Sequence, residues 1–418
     1  MVYFMDIQTA IVALLAFYVA WNLGANDVAN AMGTSVGSKA ITLKQAIIIA
    51  GVLEFLGAVL FGQEVTSTLG TKIANPALFA RTPQTLVIGM ISVLLSSGVW
   101  LQIATARGLP VSSSHAIVGA IAGFSWVSLG VGAIDWSSIG LITIGWILTP
   151  IISGAIAAGF YSLIQQWIFN QPHPLSQLQE WIPWLSTLLL SVFGIIVLPT
   201  ITQPLSQFLL TEGKLHIPPH DITLFIGGIA AISLTLMSWR QLANSQIEYK
   251  IQGLFAKFQV LSACFVAFAH GSNDVGNAIA PLAVISYINQ QGKVPSDELT
   301  IPLWILVVGA MGIVAGLAVW GKKVIATIGE NIISLAPSSG FCAELATAIT
   351  ILLASRLGLP VSTSHALVGG VVGIGLVQNL KSIKFSTIQN IAAAWLITVP
   401  ISAALSAAIF TIMAIFWH

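Results

Sequence analysis

Runs of about 20 apolar residues, the length that crosses the hydrocarbon core of a bilayer, follow one another along this chain with little between them. By hydropathy they cover 7–31, 46–62, 85–106, 110–134, 138–169, 184–210, 222–238, 255–288, 301–320, 340–355, 360–379 and 388–417. Only 7% of the 418 residues are charged, against roughly 25% in a soluble domain, so no water-soluble surface can be built from this composition. Backbone polar groups in hydrocarbon must be satisfied within the segment, and long apolar runs achieve that as helices. The expected fold class is therefore an all-α polytopic membrane protein of about 12 transmembrane segments. The longest polar connections, about 170–183 and 239–254, are too short for a soluble domain. A net charge of +1 offers nucleic acid no electrostatic footprint. Cys264 and Cys342 lie inside apolar runs and suggest neither a disulfide framework nor a metal site. The first run has only Asp6 before it and lacks the basic flank and cleavage site of a signal peptide, so 7–31 reads as a mature span. With the N-terminus outside, connections on the inner side hold ten Lys and Arg and those on the outer side five, which favours both termini on the outer side.

Two polar motifs occur twice. Gly24-Ala25-Asn26-Asp27-Val28-Ala29-Asn30-Ala31 returns as Gly271-Ser272-Asn273-Asp274-Val275-Gly276-Asn277-Ala278, at an offset of 247 residues. The stretch Gly108-Leu109-Pro110-Val111-Ser112-Ser113-Ser114-His115 and its continuation to Gly119 return at 358–369, offset 250, with ten of twelve positions identical. Two motifs in the same order at nearly the same offset mark an internal duplication: an N-terminal repeat at 1–169, connecting segments at 170–254 and a C-terminal repeat at 255–418. The first Asn-Asp motif lies on segment 1 and the second on segment 8. Seven is odd, so the repeats should be inverted, and the parity survives if segments 3 and 4 form a re-entrant hairpin. Inverted repeats place a substrate site near the midplane where the halves meet.

An ionisable residue inside an apolar segment is a functional candidate by default. Asp27 and Asn30, at i and i+3, share a helix face, and Asn26 precedes them; Asn273, Asp274 and Asn277 repeat the set. Their oxygens suit Na⁺, or a proton on Asp. Gly24 is expected to break the helix here and free backbone carbonyls. In the second motif, Gly and Pro interrupt the segment and the hydroxyl residues that follow are good N-caps, so each copy would aim a helix N-terminus, a ready anion site, at the centre. His115 and His365 read as residues that orient a loop by hydrogen bonding, ahead of a role as proton carriers. Asp27, Glu54, Asp274 and Glu344 are the acidic residues within the segments, and almost no basic residue accompanies them. A central anion would then need mobile cations or protons as partners. Glu54 and Glu344 lack acidic counterparts in the other half and are candidates for proton or ion coupling. No P-loop and no redox metal set is present.

These motifs resemble the inorganic phosphate transporter (PiT) family over essentially the whole chain, as a bacterial-type member without the long central loop of eukaryotic ones. The resemblance implies two inverted repeats with two re-entrant helical hairpins, a homodimer in the inner (cell) membrane, and import of inorganic phosphate with Na⁺ or H⁺. It implies that Asp27, Asn30, Asp274 and Asn277 line the phosphate and cation sites, that Ser112, Ser113, Ser362 and Thr363 hold phosphate, and that Ser114 and Ser364 join Asn26 and Asn273 among the cation ligands. No cofactor beyond the transported cation is expected, and the chain is not expected to be an enzyme. Ser112 or Ser114 with His115 and Asp27 could supply an intramembrane hydrolase, but hydrolysis needs one such set and this chain has two. The family also contains sulfate permeases, so symport of sulfate or another oxyanion remains open, as does a passive anion channel.

Overall fold

A computed structural model describes residues 7–107, 111–211, 218–244, 250–296, 299–328 and 335–416. Gly108, Leu109 and Pro110 of the first hairpin tip, Asp6, Lys214 and Trp417 lie outside them. The described chain is helical: α1 (Ile7–Gly37), α2 (Leu43–Phe61), α3 (Gln63–Thr71), α4 (Pro83–Ala106), α5 (Ser113–Leu129), α6 (Trp136–Ile164), α7 (Pro174–Ile196), α8 (Leu198–Thr211), α9 (Pro219–Asn244), α10 (Lys250–Gln291), α11 (Leu303–Ile328), α12 (Pro337–Arg356), α13 (Thr363–Gln378) and α14 (Phe385–Phe416). Among the described residues, ten helices are long and apolar enough to cross a membrane. Two further apolar helices, α5 and α13, have 17 and 16 residues and fall short of the roughly 20 that a full crossing needs.

Two expectations about segments need correction. The run at 184–210 is two helices, α7 and α8, that meet at Val197, and α7 begins at Pro174 inside the stretch read as a polar connection. Gln177, Gln179 and Glu180 lower the hydropathy there, yet Leu178, Ile182, Leu185 and Leu189 recur at helical spacing and bury one face. The short helix α3, too polar to register as a span, is an addition.

The two sequence repeats are interleaved rather than side by side. Helix α1 packs on α11 and α10 on α2, while α5 packs on α14 and α13 on α6, so four extensive helix pairings cross from one half to the other. Glycine permits the close approach. A Cβ at Gly24 would lie 1.9 Å from the Ile313 carbonyl oxygen, and one at Gly271 would lie 2.0 Å from that of Glu54. Small residues at helix crossings are the usual device in membranes, where backbone proximity replaces the hydrophobic effect between helices. The expected helix break at Gly24 is absent, because α1 runs unbroken from Ile7 to Gly37; the glycine serves packing. A freed carbonyl does occur in the second copy, at a different place. Pro281 sits inside α10 and has no N–H, so the carbonyl of Asn277 has no i+4 donor.

Candidate functional site

Helices α1 and α10 carry the Asn-Asp motifs at mid-length, where every residue from Asn22 to Ser35 is buried. The hairpins α4–α5 and α12–α13 bring the serine-rich tips to the same place. At each tip the first serine is the N-cap: Ser112 and Ser362 hold extended backbone, and each hydroxyl oxygen accepts from the N–H of His115 or His365 at 3.3 Å. That leaves the next two side chains, in the first turn, free to face α1 and α10.

The contacts repeat across the halves. Ser113 Oγ donates to Asp27 Oδ2 at 3.2 Å, and Thr363 Oγ1 donates to Asp274 Oδ2 at 3.0 Å. Asn30 Nδ2 reaches across to Ser364 Oγ at 3.1 Å, and Asn277 Nδ2 to Ser113 Oγ and Ser114 Oγ at 3.2 and 3.1 Å. Ser114 Oγ donates to the Val361 carbonyl at 2.8 Å, tying one tip to the other. The structure thus joins Asp27, Asn30, Ser113, Ser114, Asp274, Asn277, Thr363 and Ser364 in one buried cluster, with Asp27 at 2% and Asp274 at 1% exposure. Asp274 Oδ1 and Asn277 Oδ1 are buried there without a hydrogen-bond partner. Buried polar atoms are normally paired, and unpaired oxygens one helical turn apart are what a hard cation would seek. Asn26 and Asn273 turn their amide N–H groups away, to Thr105 Oγ1 at 2.9 Å on α4 and to Ser355 Oγ at 3.0 Å on α12, so each also anchors the outer helix of a hairpin.

Sequence reasoning missed His270. Its Nε2 lies 3.0 Å from Asp274 Oδ2 and 4.0 Å from Asp27 Oδ2, and its Nδ1 lies 3.3 Å from Glu54 Oε2. His270, Asp27 and Asp274 form a group that could hold a metal ion. The expectation that almost no basic side chain faces the central carboxylates is therefore corrected: an imidazole stands between them. The signal was weak because His270 lies just before the duplicated stretch and its counterpart in the first copy is Leu23. Glu54 joins the cluster only through this histidine.

Glu344 does not join it. Its carboxylate accepts from Thr34 Oγ1, from Ser35 Oγ at 2.7 Å and from Gln259 Nε2 at 3.1 Å on one oxygen, and from Ser262 Oγ at 2.8 Å on the other. This second polar site links α1, α10 and α12. The positions matching them at the repeat offsets are apolar: Leu94 for Glu344, Val12 for Gln259 and Leu15 for Ser262.

Comparison with known proteins places the chain. The model of the phosphate transporter family matches residues 23–406. A relative from Haemophilus influenzae, provisionally named a phosphate permease, is 41% identical over 406 residues and 96% of each chain. A chloroplastic inorganic phosphate transporter of Arabidopsis thaliana is 41% identical over 94% of this chain and 70% of its own. A solved structure of a sodium-dependent phosphate transporter superposes over 98% of this chain and 100% of that one, with a TM-score of 0.89 and 34% identity.

Proposed function

The chain belongs to the phosphate transporter family, and on that premise we propose that it imports inorganic phosphate together with Na⁺ across the cell membrane by alternating access. One observation carries this reading: Asp27 with Ser113 and Asp274 with Thr363 form matched carboxylate–hydroxyl pairs that meet in a single buried cluster. The carboxylates, with Asn30, Asn277, Ser114 and Ser364, supply oxygen ligands for cations. The hydroxyls and free N–H groups at the starts of α5 and α13 supply anion donors. Oxygen ligands together with the likeness to a sodium-dependent transporter favour Na⁺ over H⁺. The carboxylates and hydroxyls of the two repeats converge on one cluster rather than lining a continuous pore, which suits alternating access better than a channel.

The halves read as inverted repeats, with α4–α5 and α12–α13 as re-entrant hairpins and both termini on the outer side. A homodimer is the assembly that the family resemblance implies. The test is radiolabelled phosphate uptake by proteoliposomes under imposed Na⁺ or pH gradients, with unlabelled sulfate as competitor. Uptake driven by Na⁺ and indifferent to sulfate supports the reading. Uptake driven by pH alone moves the coupling to protons, uptake without any gradient dependence favours a channel, and displacement by sulfate changes the cargo.

A further inference from the structure

His115 and His365 take no part in the cluster of carboxylates and hydroxyls, yet both are buried, at 6% and 4% exposure, three residues past the N-caps of the hairpin helices. Each contacts both halves. His115 Nδ1 lies 3.2 Å from the carbonyl oxygen of Trp395 on α14, and His365 Nδ1 lies 3.0 Å from that of Trp146 on α6. Each ring also packs, tilted by 38°, against the other tryptophan of the pair: His115 on Trp146 with centroids 3.8 Å apart, His365 on Trp395 at 3.6 Å. The two imidazoles meet edge to face at 4.8 Å. Trp146 closes the arrangement by donating its indole N–H to the Pro360 carbonyl, at 3.0 Å, in the second tip.

The reason for a histidine here lies in α6. Pro150 sits inside that helix and lacks an N–H, so the carbonyl four residues earlier, that of Trp146, has no helix donor. A buried carbonyl without a partner is costly. The Nδ1–H of His365, from the other half, satisfies it, and a carbonyl can only accept, so Nδ1 is the protonated nitrogen of the neutral ring. On α14, Pro400 likewise frees the carbonyl of Leu396, next to the Trp395 carbonyl that His115 reaches.

We infer that His115 and His365 are paired positioning residues: each sets the N-terminus of its hairpin helix against the proline-containing helix of the opposite half, and so fixes where Ser113, Ser114, Thr363 and Ser364 present their hydroxyls. The inference rests on the proposal that these tips hold phosphate. Because the rings touch each other and share both tryptophans, the two tips are set as one unit.

The experiment is phosphate uptake by the full chain in proteoliposomes, with thermal unfolding of the same preparations. Asn can place an N–H where Nδ1 has one, whereas Gln places it nearer Nε2. H365N is expected to keep the wild-type KM for phosphate within about threefold. H365Q and H365A should raise KM about tenfold, the equivalent of one hydrogen bond of roughly 1.4 kcal/mol. H115A combined with H365A should cost less than the product of the two single effects. Should H365A fold poorly, P150A combined with H365A gives the Trp146 carbonyl a helix N–H of its own. A positioning role predicts that this double variant regains thermal stability but keeps the raised KM. If it regains both, or if H365N and H365A have equal KM values, the inference is overturned. Absence of phosphate uptake by the wild-type chain would instead sink the functional reading on which it rests.

Discussion

Adding one methyl group at Gly271 tests how the carboxylates are held. A Cβ there meets the Glu54 carbonyl oxygen at 2.0 Å, where ordinary contact begins near 3.4 Å, and at Gly24 it meets the Ile313 oxygen at 1.9 Å. The helices must therefore separate by about 1.4–1.5 Å. Both obstacles are backbone, so no rotamer change relieves them, and overpacking of this kind costs about 1–3 kcal/mol or more. Helix propensity alone predicts the opposite sign, since Ala is favoured over Gly by up to about 1 kcal/mol. Gly159 on α6, where an added Cβ meets nothing within 4 Å, isolates that term. Gly271→Ala and Gly24→Ala should lower the thermal unfolding midpoint of purified protein, while Gly159→Ala leaves it unchanged or raises it. Transport should fall as well. Asp274 lies three residues beyond Gly271, and its 3.0 Å contact with Thr363 does not survive a shift of more than 1 Å, because hydrogen bonds fade beyond about 3.2 Å. If Gly271→Ala were as stable and as active as Gly159→Ala, the close approach of α10 to α2 would be wrong, and with it the geometry of the cluster.

Asp27→Asn and Asp274→Asn should each abolish phosphate uptake at normal expression if, as proposed, each carboxylate is a cation ligand rather than packing; near-normal uptake by either would remove that role. Ser113→Ala and Thr363→Ala should weaken phosphate affinity more than Na⁺ affinity, by roughly 1.5–3 kcal/mol for a hydrogen bond to a charged group, as calorimetry with each ligand would read. Glu344→Ala leaves the donors from Thr34, Ser35, Gln259 and Ser262 facing a void and should destabilise by several kcal/mol at about 1–3 per unmet donor. Glu344→Gln restores acceptance on one oxygen, so equal unfolding midpoints for the two variants would contradict the network. Finally, phosphate binding to purified protein should vanish in a Na⁺-free alkaline buffer, where protons cannot substitute; tight binding there would favour a channel or exchanger.

What the sequence revealed and what it hid follow from one physical contrast. Asn26, Asp27, Asn30 and their second copies were legible because polar groups in hydrocarbon demand a reason, and duplication excluded accident. The caps at Ser112 and Ser362 were legible because a hydroxyl after Gly-Leu-Pro-Val has few other uses. His270 and the partners of Glu344 were hidden because each stands opposite an apolar residue in the other repeat, so the comparison that exposed the motifs passed over them. Gly24 was misread because glycine has two uses in a membrane helix, release of the backbone and close packing, and only the position of Ile313 on a distant helix decides between them. The first part of α7, before residue 184, escaped because its apolar face is a stripe, which a mean over a window dilutes with Gln177, Gln179 and Glu180.

His270 also changes the electrostatic argument without reversing it. Around its ring stand three carboxylates, those of Asp27, Asp274 and Glu54, and an imidazolium can offset at most one of them. Phosphate held at the tips, as proposed, would add one or two negative charges to the same space at neutral pH. Two like charges 4 Å apart cost roughly 4 kcal/mol at an effective dielectric constant of about 20, a large part of the roughly 8 kcal/mol of micromolar binding. A fixed imidazole therefore leaves at least two carboxylates to be neutralised by something that arrives with the phosphate. The described residues offer no lysine or arginine in contact with these carboxylates, and the pairs Asp27–Ser113 and Asp274–Thr363 put one carboxylate beside each serine-rich tip proposed to hold phosphate. A cation on each carboxylate would then favour phosphate at the neighbouring hydroxyl, and phosphate would favour the cation by the same factor, since coupling between binding sites is reciprocal. His270 occupies the asymmetric position in this scheme: it approaches Asp274 at 3.0 Å and Asp27 only at 4.0 Å. The two cation sites proposed here are consequently unequal: Asp27 accepts from Asn30 and Ser113, whereas Asp274 has the nearer imidazole on one oxygen and no partner on the other.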